Sequence, residues 1–136
     1  MEGIKVTVTV IGGAIAYAVG GWSILLTTLL ILNAFDYLSG WMANLGNISS
    51  KIGFRGVIKK GMMWVWIVVA NLVYLVLQHM GYDFGEVIPN AVALSFIVNE
   101  LVSLGENSIK LGIAVPVPVQ KALAIFTEKN EKTEGK

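Results

Sequence analysis

LLTTLLILNAFDYLSGWMANLG, residues 25–46, reads as apolar helix with one carboxylate, Asp36, set inside it. No charged residue lies between Lys5 and Asp36, so 30 consecutive residues carry none. A membrane helix needs about 20 mostly apolar residues. That run is too long and too apolar for the surface of a small soluble domain. The chain as a whole agrees: 55% of its 136 residues are hydrophobic and only 14% are charged, against roughly 25% charged in soluble domains. Mean hydropathy is +0.71. The sequence describes an all-α, polytopic integral membrane protein.

Working outward from Asp36, the chain divides into three to four transmembrane or membrane-embedded helices. The second helix is expected over 22–45, with Trp22 and Trp41 suited to the two membrane interfaces. Before it, residues 4–20 are apolar but rich in Gly, Thr and Val. At 1.5 Å per residue they reach only roughly 25 Å, so they either span or lie on the membrane. Gly12, Ala16 and Gly20 are spaced by four, a pattern that lets helices approach closely in lipid. It equally fits a short interfacial helix whose glycines allow a bend. The start MEGIK has a weak, mixed-charge n-region with no clear cleavage site after it, which disfavours a cleavable signal peptide.

After the second helix, residues 46–61 read as a loop or interfacial segment carrying Lys51, Arg55, Lys59 and Lys60. No acid lies between Asp36 and Asp83. The positive-inside rule puts this basic loop in the cytoplasm. A third helix is expected over 57–80, with 61–80 its clearest membrane part, and a fourth over 87–111. The prolines of GIAVPVPVQ, 112–120, then break the helical pattern. Residues 1–120 thus form a membrane domain. Residues 121–136 form a charged cytoplasmic tail, beginning as a possible short helix and ending polar and disordered.

The polar residues inside the spans are the candidate site. Asn33, Asp36, Ser39 and Gly40 recur at three and four and share one helix face. A charged Asp near a helix centre costs about 2.5–3.5 kcal/mol on insertion scales. Asp36 therefore faces another helix or a water-lined path, or it lies close enough to the cytoplasmic interface to pair with Lys59 or Lys60. In the last membrane helix Asn99, Ser103, Glu106 and Asn107 recur at four, three and one, and Glu100 precedes Ser103 by a turn. These are expected to make one polar face about two turns long. A helix end emerging into the cytoplasm, closed by Lys110, explains Glu106 better than Glu100. Asn99 and Glu100 are therefore the favoured functional pair.

Other chemistry finds no support. The chain has no cysteine and one histidine, His79, at the outer end of a span. That leaves no thiolate or histidine set for a metal. Gly12-Gly13 is followed by no GK[ST]. No nucleophile–base–acid set is spaced for catalysis. We expect no enzyme, cofactor or metal site, and the net charge of +1 suggests no nucleic-acid partner.

Taken in order, four motifs are similar to the phage holins of the toxin-secretion/phage-lysis family. They are DYLSG (36–40), SSKIGFRGVIKK (49–60), NELVSLGEN (99–107) and LGIAVPVP (111–118). The matched positions are Asp36, Tyr37, Ser39 and Gly40; Ser50, Lys51, Gly53, Gly56, Lys59 and Lys60; Asn99, Glu100, Ser103, Glu106 and Asn107; and Pro116 and Pro118. The resemblance covers about residues 22–120. It implies a small multi-pass protein of the bacterial cytoplasmic membrane that associates with copies of itself. It also implies lesions through which a cytoplasmic endolysin, or in some relatives a toxin, leaves the cell. Membrane lipid and an endolysin are the implied partners. The residues alone leave two other classes open, a small transporter or channel subunit and a structural membrane subunit.

Overall fold

The computed structural model describes residues 1–47 and 49–134, and all of its regular structure is helical. The helices are α1 (Glu2–Ala18), α2 (Ile24–Ala43), α3 (Ser50–His79), α4 (Val87–Lys110) and α5 (Val117–Glu134). Three of them, α2, α3 and α4, are long and apolar enough to cross a membrane. Local chemistry sets their ends. Ser23 and Ser49 cap α2 and α3, each side-chain oxygen accepting from the backbone N–H three residues on, at 3.3 Å. Gly20, Gly21, Gly81, Gly85 and Gly112 take positive φ in the connections, where a side chain would be strained.

Two expectations are corrected. The third helix starts at Ser50, not at 57, which leaves the interfacial and not the loop reading of the basic segment: Lys51, Arg55, Lys59 and Lys60 occupy its first three turns. The Ser49 cap followed by an unbroken helix-compatible run was the available signal. The helix expected at the start of the tail is not short either, because α5 runs from Val117 through Glu134. The membrane helix α4 ends at Lys110, before the prolines, and Gly112 at φ 79 closes it. Pro118 sits in the first turn of α5, where a missing N–H breaks no helical bond. Gly135 and Lys136 lie outside the described residues.

Contacts fix the relative directions. Early in α3, Lys60 reaches residues late in α2 and in α4. Later in α3, Ile67 and Asn71 share a small cleft with Leu26 and with Pro89 and Ala93, early in α2 and α4. So α2 and α4 run parallel and α3 antiparallel to both. Helix α4 is the hub and packs against α2, α3 and α5. The core is small: Leu26, Leu29, Leu32, Ile67, Ala93 and Ile97, with Val19 from the α1–α2 connection. Most other large apolar side chains point outward. Lipid tails are as apolar as leucine, so burying such side chains between helices gains little in a membrane.

Helix α1 stands apart. It buries none of its residues. Its C-terminal end is fixed by Asn71 of α3, whose Nδ2 donates to the carbonyls of Tyr17 at 3.3 Å and Ala18 at 3.0 Å. Beside it, the indole rings of Trp22 and Trp64 stack, with centroids 6.0 Å apart.

Candidate functional site

The polar residues of the spans converge on one lysine. Lys60 Nζ lies 2.8 Å from Asp36 Oδ2 and 2.5 Å from Glu100 Oε2. One ammonium therefore ties α3 to both α2 and α4. The side chains of Asp36 and Lys60 are each 15% exposed and that of Glu100 only 3%. Removing two carboxylates and an ammonium from water is unfavourable unless they are paired and hydrogen-bonded. Further bonds meet that condition. Asn107 Nδ2 donates to Asp36 Oδ1 at 3.1 Å and to Ser39 Oγ at 3.0 Å. Ser39 Oγ in turn donates to the Asp36 carbonyl at 3.1 Å.

Helical geometry explains which residues join. Successive side chains rotate by about 100°. Glu100, Ser103 and Asn107 therefore fall on one face of α4, turned toward α2 and α3. Asn99 and Glu106 lie roughly 100–120° round from Glu100, past Ser103, and both are exposed. The single polar face expected for α4 is thus two faces. Glu100 and Asn107 belong to the cluster; Asn99 and Glu106 do not. Ser103 lines the adjoining cleft. Gly40 faces Asn107, whose Nδ2 would stand 3.5 Å from a Cβ built there, an ordinary contact.

The same rotation sorts the basic residues. Lys51, Arg55 and Lys59 point outward and are exposed, while Lys60, about half a turn round from Lys51, points in. Gly53 and Gly56 share the inward side with Lys60, and the ring of Tyr37 lies over them. Together with Trp41, these residues wall a cleft of about 300 Å³. It opens beside the α2–α3 connection and has Asp36, Lys60 and Asn107 at its base.

Asn33 is not part of the Lys60 cluster. One turn away, it accepts from Trp64 Nε1 at 3.0 Å and donates to Met63 Sδ at 3.8 Å, a second polar tie between α2 and α3. Sequence reading missed Asn71. The signal was the one that singled out Asp36: a polar side chain within an apolar run, here VVANLVY, 68–74.

The pattern of the bacteriophage holin family matches residues 13–128, which include all of this site. The chain belongs to the bacteriophage holin family. Among its relatives is a protein named a probable holin, from Bacillus phage phi105. It is 26% identical over 112 residues, covering 80% of this chain and 79% of the relative. An uncharacterized protein of Halalkalibacterium halodurans is 33% identical over 131 residues, 95% of this chain and 97% of the relative. A 14.9 kDa protein of Clostridium perfringens, encoded in the nagH 3' region and also uncharacterized, is 32% identical over 128 residues, 93% and 94% of the two chains. No solved structure matches. In this holin-family chain, then, the charged cluster joins three membrane-spanning candidates at the end of the bundle that carries the basic residues.

Proposed function

We propose that this protein acts as a holin. It accumulates in a bacterial cytoplasmic membrane with its C-terminus in the cytoplasm, associates with further copies, and opens lesions that release an endolysin, or a toxin, to the cell wall. Family membership supports this, as does the presence of three candidate spans. The observation that carries the mechanism is Lys60 bound to Asp36 and Glu100. In lipid, helix association rests on packing and polar contacts, not on hydrophobicity. A monomer that satisfies Asp36 and Glu100 internally keeps these two carboxylates paired and can accumulate without harm. Crowded copies can exchange those partners between subunits, and the freed polar faces then line water. Such a change is a shift between two states of the bundle, driven by whatever binds the open state better.

The test is induced expression in bacteria beside an endolysin lacking a signal sequence, followed by optical density. Abrupt lysis requiring both proteins is the expected outcome. Lys60→Met and Asp36→Asn should shift its time. Steady growth with the protein confirmed in the membrane would overturn the proposal.

A further inference from the structure

We infer that the outward face of the first three turns of α3 is a docking surface for the headgroups of anionic phospholipids. The inference rests on membrane placement of the bundle but not on lysis. Helix α3 has 30 residues, about 45 Å at 1.5 Å per residue, against a hydrocarbon core of about 30 Å. Its apolar stretch from Gly61 to His79 accounts for the core. The remaining turns, Ser50 to Lys60, overhang into the headgroup layer.

Within that overhang the side chains are sorted by charge. Lys51, Arg55 and Lys59 follow one another at four-residue steps, so they lie within an arc of about 80° and along about 12 Å of helix. All three are exposed. Phe54 and Ile58, 67% and 50% exposed, flank the same arc. Cations beside outward apolar side chains are the pattern of a helix surface seated at a lipid interface.

Among the described residues, no acid is paired with these cations. Asp36 and Glu100 are both taken by Lys60, and no acid occurs from Tyr37 to Tyr82. The cations also stand at the wrong end of their helix. The N-terminus of a helix carries partial positive charge and favours anions, and the first turn of α3 has no acidic residue. A row of lipid phosphates supplies the missing negative charge to the side chains and the helix end together. An orientation signal needs only cations in the segment. It does not require that Lys51, Arg55 and Lys59 share one outward face.

The test uses the full chain in a neutral detergent, titrated with short-chain phosphatidylglycerol or phosphatidylcholine, with bound lipid counted by native mass spectrometry. Phosphatidylglycerol should bind preferentially, and the preference should vanish at high salt. A variant carrying K51Q, R55Q and K59Q should lose about a hundredfold in phosphatidylglycerol affinity, since each cation near an anionic surface contributes roughly fivefold. A charge-matched variant carrying K5Q, K110Q and K121Q should lose less than tenfold. Equal losses in the two variants, equal retention of the two lipids, or a preference that survives high salt would overturn the inference. So would inorganic phosphate competing as well as the lipid, which would mark a site for free anions. Circular dichroism checks folding. If the stripe variant does not fold, the lipid comparison and salt series on the native chain still decide. A chain that binds as expected yet never lyses cells would sink the proposed function and leave this inference standing.

Discussion

The two ends of the bundle are held together by different forces. Toward the basic end, Asp36, Lys60, Glu100 and Asn107 tie three helices through charged groups and an amide. Toward the other end, Leu26, Ile67 and Ala93 pack without charge, and the amide of Asn71 holds α1. The polar end demands particular partners, since a carboxylate there must have its cation. The apolar end demands only shape. In a medium where apolar contact with lipid is nearly as good as apolar contact with protein, the polar end selects the arrangement and is the natural place for it to change.

Breaking the polar end should have the largest effect. Lys60→Met leaves two carboxylates with no cation in a mostly buried site, and losing one partner of a buried ion pair costs about 3–5 kcal/mol. Thermal unfolding of the purified chain in detergent measures it. Replacing Asp36, Lys60 and Glu100 together by Leu, Met and Leu should recover most of that stability, because an apolar replacement of a whole buried ion cluster is often neutral or stabilising. In the lysis assay the same triple variant should still change the timing. Recovery of both stability and normal timing would show that the cluster is structural only.

At the apolar end, Ile67→Ala opens a cavity at a residue 1% exposed. It should destabilise by about 2–4 kcal/mol, by the same unfolding measurement. An effect larger than that of Lys60→Met would reverse the comparison. Asn71→Leu removes both side-chain bonds to the end of α1, a loss of about 1 kcal/mol per hydrogen bond. Its clearer sign should be greater accessibility of residues 2–18 to hydrogen exchange. The smallest effects should come from Asn99→Leu and Gly40→Ala, each within about 0.5 kcal/mol of the parent. Asn99 is exposed, and a Cβ at Gly40 makes only an ordinary contact.

Much of this was legible beforehand. Asp36 stands out because a carboxylate inside an apolar run demands a partner, and Lys59 or Lys60 of the next segment is the expected one. The grouping of Asn99 and Glu106 with Glu100 was not legible in the same way. A run of closely spaced polar residues wraps around a helix, and spacing alone does not say which arc faces inward. Asn71 was overlooked because an amide is a weaker departure from an apolar run than a charge. The start of α3 at Ser50 instead of 57 is less legible, because the charges of Lys51 and Arg55 mask the continuous helix behind the Ser49 cap.

The sequence by itself determined the all-helical membrane class, three to four apolar helices, the basic end and the presence of acids that need partners. These follow from composition, the length of apolar runs and the rarity of charge in hydrocarbon. Only the tertiary structure decided that Lys60 and not Lys59 takes the inward position, that it serves two carboxylates at once, and that Asn71 is the anchor of α1. Those outcomes depend on how each helix is rotated about its axis when three pack together. That rotation is fixed by all the contacts jointly and is not written in any one segment.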